Sequence, residues 1–324
     1  MKKLFAIFLS TVLCLSLWAC ASTPAPGQQQ ADAELPTIAM TLGDKNVIAD
    51  YASFTLFKIS NGKKATATIG GGLYYENDNA GETYVDVILD WTNLSANAVS
   101  SEDIMTITAT NSTGATFSGF TAVETNNGTY LTRYEKLSAL STTRVHAVIS
   151  VPETETALTV HLVIQGTDYT CNYTMGQTVG NAKTIAESEL IEDTNYAALL
   201  FKGVEYTDDL LPTNTSGVYS HYEIDDPNNT YLVVKFDITN YMADAKDCEN
   251  FAGVTAVYLD KYTYTGSLVV EDEDGKGFGR YEDVSPLATR HCFYMIEVPK
   301  TVIENPVTLT IAFNSQEYTY TYTP

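Results

Sequence analysis

Apolar and polar residues alternate with period two along much of the chain. Between residues 83 and 93, Val85, Val87, Leu89 and Trp91 alternate with Tyr84, Asp86, Ile88 and Asp90. Between residues 230 and 240, Leu232, Val234, Phe236 and Ile238 alternate with Tyr231, Val233, Lys235 and Asp237. Successive strand side chains point to opposite faces, so each apolar set marks the core face of a β-strand. The same pattern places Leu158, Val160, Leu162 and Ile164 on one face, and Val307, Leu309, Ile311 and Phe313 on another. Val, Ile, Thr, Tyr and Phe, all good strand formers, fill these runs. Turn chemistry separates them: NGKK at Asn61, NNG at Asn126 and EDGKG around Asp274. Helical signal is confined to short turns at residues 101–103 or 243–249. The monotonous end YTYTYTP sets Tyr318, Tyr320 and Tyr322 on one face and Thr319, Thr321 and Thr323 on the other. It predicts a closing strand, stopped by Pro324, which cannot donate to a ladder.

The strands come in two sets. TYVDVILDWTN at 83–93 matches TYLVVKFDITN at 230–240, with six identities in eleven and an offset of 147. LSTTRVHAVISVP at 140–152 matches LATRHCFYMIEVP at 287–299 at the same offset, and 157–174 matches 306–323 at an offset of 149. VIADYASFTLFK at 47–58 resembles LIEDTNYAALLFK at 190–202, and YTCNYT at 169–174 is the earlier form of the closing strand. Order and spacing persist, so the chain is a tandem duplication. The expected fold is all-β, with an immunoglobulin-like β-sandwich over 36–178, another over 182–324, and a polar joint at 175–183. On the strand pair ending in Asn93 and Asn240 and the late ISVP and IEVP strands, each copy resembles the telokin-like, immunoglobulin-like domain of unknown function found in lipoproteins of Gram-positive bacteria. The resemblance covers about 36–176 and 184–324. It implies a sandwich and brings no catalytic residues.

The first residues change the picture from architecture to address. Lys2 and Lys3 precede an apolar run, residues 4–18, shorter than the roughly 20 residues of a membrane-spanning helix. LWAC at 17–20 then resembles the lipobox of bacterial lipoproteins, which implies cleavage before Cys20 and diacylglycerol on its thiol. Trp18 stands where that family prefers a small residue. Residues 21–35, rich in Pro, Gly and Gln, read as a flexible tether. The expected location is the extracytoplasmic face of a cell membrane, held by lipid, in a Gram-positive bacterium. Cys171, Cys248 and Cys292 remain in the exported part. An odd number is no disulfide framework, although a Cys248–Cys292 bridge is compatible with their place in one copy.

Charge narrows the partners. Lys and Arg number 18 against 40 Asp and Glu, a net charge of -22. Phosphate binding needs basic surface, so nucleic acid is excluded as a partner. Four histidines offer little acid–base chemistry. His291 and Cys292 are neighbours in a strand and face opposite sides, so they cannot pair as base and nucleophile. GxSxG, HExxH and phosphate-binding glycine loops are absent. The acid cluster at 271–275 offers Asp272 and Asp274 as metal candidates. A calcium loop through them would need carboxylates at Val270 and Tyr281, so a solvated turn at Asp274–Gly275 is expected instead. Tyrosines number 22, and Tyr258, Tyr262 and Tyr264 are candidates for stacking on a sugar or anchoring a protein. The sequence therefore predicts a non-catalytic, cofactor-free cell-surface binding module for a protein or for cell-wall or host polysaccharide. A solute-capture lipoprotein, a structural spacer and a secreted hydrolase are the alternatives.

Overall fold

The structure, a computed structural model, describes residues 35–70, 72–125, 128–259, 261–314 and 316–324. The leader and its Cys20, the tether to residue 34, and Asn126 of the NNG turn lie outside the described residues. Pro36–Pro324 form one compact unit containing two separate apolar cores. Every regular element described is a strand apart from short 3-10 turns, among them Ser101–Asp103 and Cys248–Asn250 near the two places of helical signal. No described helix is long and apolar enough to cross a membrane.

In the first copy the strand order runs Thr37–Ala39, Thr167–Thr174, Ala157–Ile164, Thr106–Asn111, Thr116–Thr125, Thr142–Pro152, Glu82–Asn93, Ala52–Gly62, Val179–Gly180. The fifth of these belongs to both layers of the sandwich. Its Thr116, Phe117 and Ser118 pair with Thr110, Ala109 and Thr108, and then Gly119 to Val123 pair with Ile149 back to Val145. The second copy breaks the same strand in two. Tyr262–Thr265 pairs with Ala252–Tyr258, and Ser267–Glu271 pairs with Thr289–Pro299. Gly119 and Gly266 mark the crossing point, 147 residues apart. A Cβ at Gly119 would lie 2.7 Å from the Val148 carbonyl, and one at Gly266 would lie 1.7 Å from that of Met295. Only glycine lets the backbone pass there.

The apolar registers read from the sequence line the two cores. Val85, Val87, Leu89 and Trp91 are buried with Leu158, Val160, Leu162 and Ile164, and Trp91 stacks on Phe54 at 5.4 Å. Leu232, Val234, Phe236 and Ile238 meet Val307, Leu309, Ile311 and Phe313. The closing strands are Thr167–Thr174 and Gln316–Tyr322, and Tyr318, Tyr320 and Tyr322 pack on the second core. Each copy opens with a short strand parallel to its closing strand: Thr37–Ala39 on Thr167–Thr174, and Lys183–Thr184 on Gln316–Tyr322.

Alternation says which residues share a face but not what covers it. In both copies the segment after the long second-layer strand folds over the outer face and makes a smaller apolar layer. Ala65, Ala67, Ala122, Leu131 and Val148 form it in the first copy, and Leu210, Val233, Val269 and Met295 in the second. The joint is also tied down more than its polar sequence suggests. Val179 and Gly180 pair with Ile59 and Lys58 of the first copy, and Lys183 and Thr184 pair with Tyr318 and Thr319 of the second.

Candidate functional site

The acid cluster folds as a turn. The Gly275 N–H donates to the Asp272 carbonyl at 2.9 Å, Gly275 sits at φ 67°, and the Asp274 carboxylate accepts the Lys276 N–H at 3.1 Å. Among the described residues no three His, Cys, Asp or Glu side chains converge as metal ligands. Of the tyrosine candidates, Tyr258 must be moved to the core. It faces Val307 across the sheet, is fully buried, and shares a 2.8 Å hydrogen bond with the Tyr206 hydroxyl. Tyr264 is half-buried edge-on against Tyr258, and Tyr262 alone is exposed. Cys171, Cys248 and Cys292 are free and buried, so no Cys248–Cys292 bridge forms in this structure. Burial pushes the Cys171 and Cys248 thiols up to about 12 and Cys292 higher still. His291 points away from Cys292 and donates from Nδ1 to Asp237 Oδ1 at 2.7 Å.

A different group recurs in both copies. The 3-10 turns carry Glu102 and Glu249, and the loops after the outer layer carry Arg133–Tyr134 and Arg280–Tyr281. All three positions repeat at an offset of 147. Arg133 Nη2 donates to Glu102 Oε1 at 3.1 Å, and its guanidinium lies 4.5 Å from the Phe120 ring and 5.0 Å from that of Tyr134. Arg280 Nε donates to Glu249 Oε1 at 3.2 Å, with the guanidinium 5.1 Å from the Tyr281 ring. Its Nη2 reaches the Ser267 hydroxyl at 2.6 Å, and Ser267 holds the position of Phe120. Backbone contacts fix both turns to both loops: Ser101 N–H to Glu135 O at 2.8 Å, and Cys248 N–H to Glu282 O at 2.9 Å.

The strand-final asparagines of the duplicated motif hold these loops. Buried Asn93 donates from Nδ2 to the carbonyls of Asn97, Leu137 and Ser138. Asn240 donates to those of Asp244 and Val284. The loops thus start at Arg133 or Arg280, cross the asparagine, and end at Leu140 or Leu287.

Stability does not account for what these loops display. Tyr134 and Tyr281 sit at φ 65° and 64°, Leu140 and Leu287 at φ 58° and 60°. Tyr134 is 68% exposed and Leu287 78%. A left-handed conformation in a residue other than glycine costs on the order of 1 kcal/mol. An ion pair as open as Arg133–Glu102 returns about 0–1 kcal/mol. Exposed rings and leucines held at such positions twice over suit contact with something outside the chain. In the first copy the group borders a groove of about 290 Å³ lined with the hydroxyls of Thr106, Thr108 and Ser118. A guanidinium beside a carboxylate and an aromatic face can grip polar groups and stack on an apolar one. The sequence carries the signal as a repeated tripeptide, RYE at 133–135 and 280–282. Periodicity overlooks it because the loop has no period.

The first copy also buries a charged cluster that the second lacks. His146, with no exposure, lies between Asp86 Oδ2 at 2.9 Å from Nδ1 and Glu124 Oε1 at 3.0 Å from Nε2. Burial pushes its pKa down, but the two carboxylates more than reverse this and raise it to about 9.

The chain matches no family model and no curated protein. Among solved structures it is similar to an uncharacterized β-sandwich protein of Clostridium difficile 630, at 26% identity and a TM-score of 0.41, over 44% of this chain and 95% of that one.

Proposed function

We propose that this protein is a lipid-anchored, extracytoplasmic binding module made of two telokin-like, immunoglobulin-like sandwiches in tandem. Each copy offers the same Arg–Glu–Tyr face to a protein or to a cell-wall or host polysaccharide. The observation that carries this reading is the repetition of that exposed, strained group in both copies. Two faces on one chain raise avidity without any new contact. We read the module as non-catalytic, and Cys20 as its point of attachment.

The test has two arms. Cys20→Ala is expected to move the protein from the membrane fraction to the medium; unchanged fractionation removes the anchor. Residues 21–324 are then passed over immobilised wall polysaccharide and a panel of host surface proteins. Binding is expected to weaken at least tenfold when Arg133, Tyr134, Arg280 and Tyr281 are all replaced by Ala. Full binding by that folded variant removes the face.

A further inference from the structure

We propose that the buried charge cluster of the first sandwich is a bracket that fixes the second sandwich against it. The geometry sets the charge state. Both ring nitrogens of His146 face carboxylates, Asp86 from the Glu82–Asn93 strand and Glu124 from Thr116–Thr125, so both carry protons. On His146's own strand Arg144, 4% exposed, reaches Asp90 Oδ1 through Nε at 3.0 Å and Nη2 at 2.8 Å. Its Nη1 donates to the Thr68 hydroxyl at 2.7 Å, and its guanidinium lies 3.6 Å from the Phe57 ring.

The second copy shows that the fold does without the His146–Asp86 pair. At the positions of Asp86, His146 and Arg144 it has Val233, Phe293 and His291. Val233, Val269, Met295 and Phe293 fill the same layer with apolar groups. Exchanging buried ions for well-packed apolar residues is often neutral or stabilising. Stability of the layer therefore gives no reason to keep the ions in the first copy. Glu271, at the position of Glu124, still accepts the Thr213 N–H at 2.6 Å, so the carboxylate clamp on the loop belongs to both copies. The ion pair Arg144–Asp90 also has its counterpart in His291–Asp237, so what the first copy adds is His146 with Asp86, and a longer cation at position 144 that reaches Thr68 and Phe57.

That addition leads to the neighbouring sandwich by two routes. Glu124 accepts the Thr68 N–H at 2.7 Å, and the next carbonyl, that of Ile69, rests on Gly253 of the second copy. A Cβ at Gly253 would lie 2.1 Å from that oxygen, and the first copy has Thr106 at the equivalent position. The second route starts at Phe57, under Arg144. Its carbonyl accepts the Asn181 N–H at 2.9 Å, and the Asn181 carbonyl accepts Gln316 Nε2 at 2.8 Å. Beside it Lys58 Nζ meets Glu317 Oε1 at 2.8 Å, with the Glu317 side chain 8% exposed. Strand register shifts the sequence match of LFK at 56–58 with LFK at 200–202 by one residue, so the second copy has Lys202 and Gly203 at the positions of Phe57 and Lys58. The cluster stands in the copy whose Ile69 and Lys58 make these contacts, and the copy that meets them with Gly253, Gln316 and Glu317 has no counterpart of His146 or Asp86.

The test uses residues 21–324 with spin labels at Thr154→Cys and Thr301→Cys, exposed positions that correspond in the two copies. The D86V/H146F variant, which installs the second copy's residues, is expected to stay folded. The label-to-label distance distribution should broaden, and amide exchange at Ile69 and Asn181 should accelerate at least tenfold. G253A should broaden the distribution in the same way while leaving the cluster intact. An unchanged distribution in folded D86V/H146F overturns the proposal. So does failure of that variant to fold, because the cluster would then serve its own sandwich. An unchanged distribution in G253A shows that the Ile69 contact does not hold the copies, and overturns it as well.

Discussion

Two buried cations respond to pH in opposite senses. His146 is raised from near 6.5 to about 9, the net result of burial opposed by Asp86 and Glu124. Relative to a neutral ring, its charge therefore stabilises the fold fully below pH 6.5, and that contribution is lost as pH rises through about 9. Lys246 behaves the other way. Set against the Tyr196 and Phe251 rings without a carboxylate, it is lowered by burial to about 8. Between pH 8 and its ordinary value near 10.5 the unfolded state of this group binds more protons, so its contribution to stability rises with pH. The two can be read separately. Trp91 is the sole tryptophan of residues 21–324, and Cys248 and Cys292 are buried thiols of the second core. The urea midpoint seen by Trp91 fluorescence is expected to fall from pH 7 to pH 10. Cys248 and Cys292, whose thiols burial holds above their ordinary value near 9, lose stability over the same range, so the midpoint seen by their alkylation is expected to fall more steeply from pH 8 to pH 10 in K246M than in the natural chain. A flat Trp91 midpoint would mean that His146 is neutral.

At the scale of elements, the crossing strand is the most demanding piece of each sandwich. A methyl at Gly266 meets the Met295 carbonyl at 1.7 Å, whereas one at Gly119 meets the Val148 carbonyl and the Ile107 side chain at 2.7 Å. Backbone cannot retreat as a flexible side chain can, so G266A should cost roughly 3 kcal/mol or more and G119A about 1–3 kcal/mol. Urea unfolding checks both, and costs below about 0.5 kcal/mol would show that the crossing has slack. These glycines also mark where sequence reading stops. The paired strands, the duplication and the closing YTYTYT strand were legible because burial on one face imposes period two. The crossing was not, since TFSGFTAVET reads as one uninterrupted strand until its two halves are seen to pair with different layers. Nor was the outer layer, because a covered second face differs from a solvated one only in residues such as Ile88 and Val148. Tyr258 was misjudged for a related reason: composition counts tyrosines, and only the register shows which of them face inward.

Across the whole molecule, the two cores share no apolar residue, one ending at Met175 and the other beginning at Ile185. What joins them is polar: Lys58 to Glu317, Gln316 to the Asn181 carbonyl, and the Ile69 carbonyl on Gly253. A partly exposed ion pair gives about 0–1 kcal/mol and each hydrogen bond about 1 kcal/mol net. The sum, on the order of 3 kcal/mol, is well below the 5–15 kcal/mol that holds an ordinary domain together. It is also weaker than the roughly 4 kcal/mol of a millimolar complex. Covalent linkage changes this, because a short joint supplies an effective concentration in the millimolar range. Two outcomes are therefore expected from fragments 36–180 and 182–324, the first including the Val179–Gly180 strand that pairs with Ile59 and Lys58. Each alone should unfold in a single cooperative thermal transition. Mixed at about 100 µM, they should sediment as separate monomers. A fragment that is unfolded while the intact chain is stable would make the two copies one cooperative unit. A complex of micromolar affinity would mean that the joint carries apolar contact beyond these polar ones. The contact is strong enough to orient one face relative to the other only while the chain is continuous.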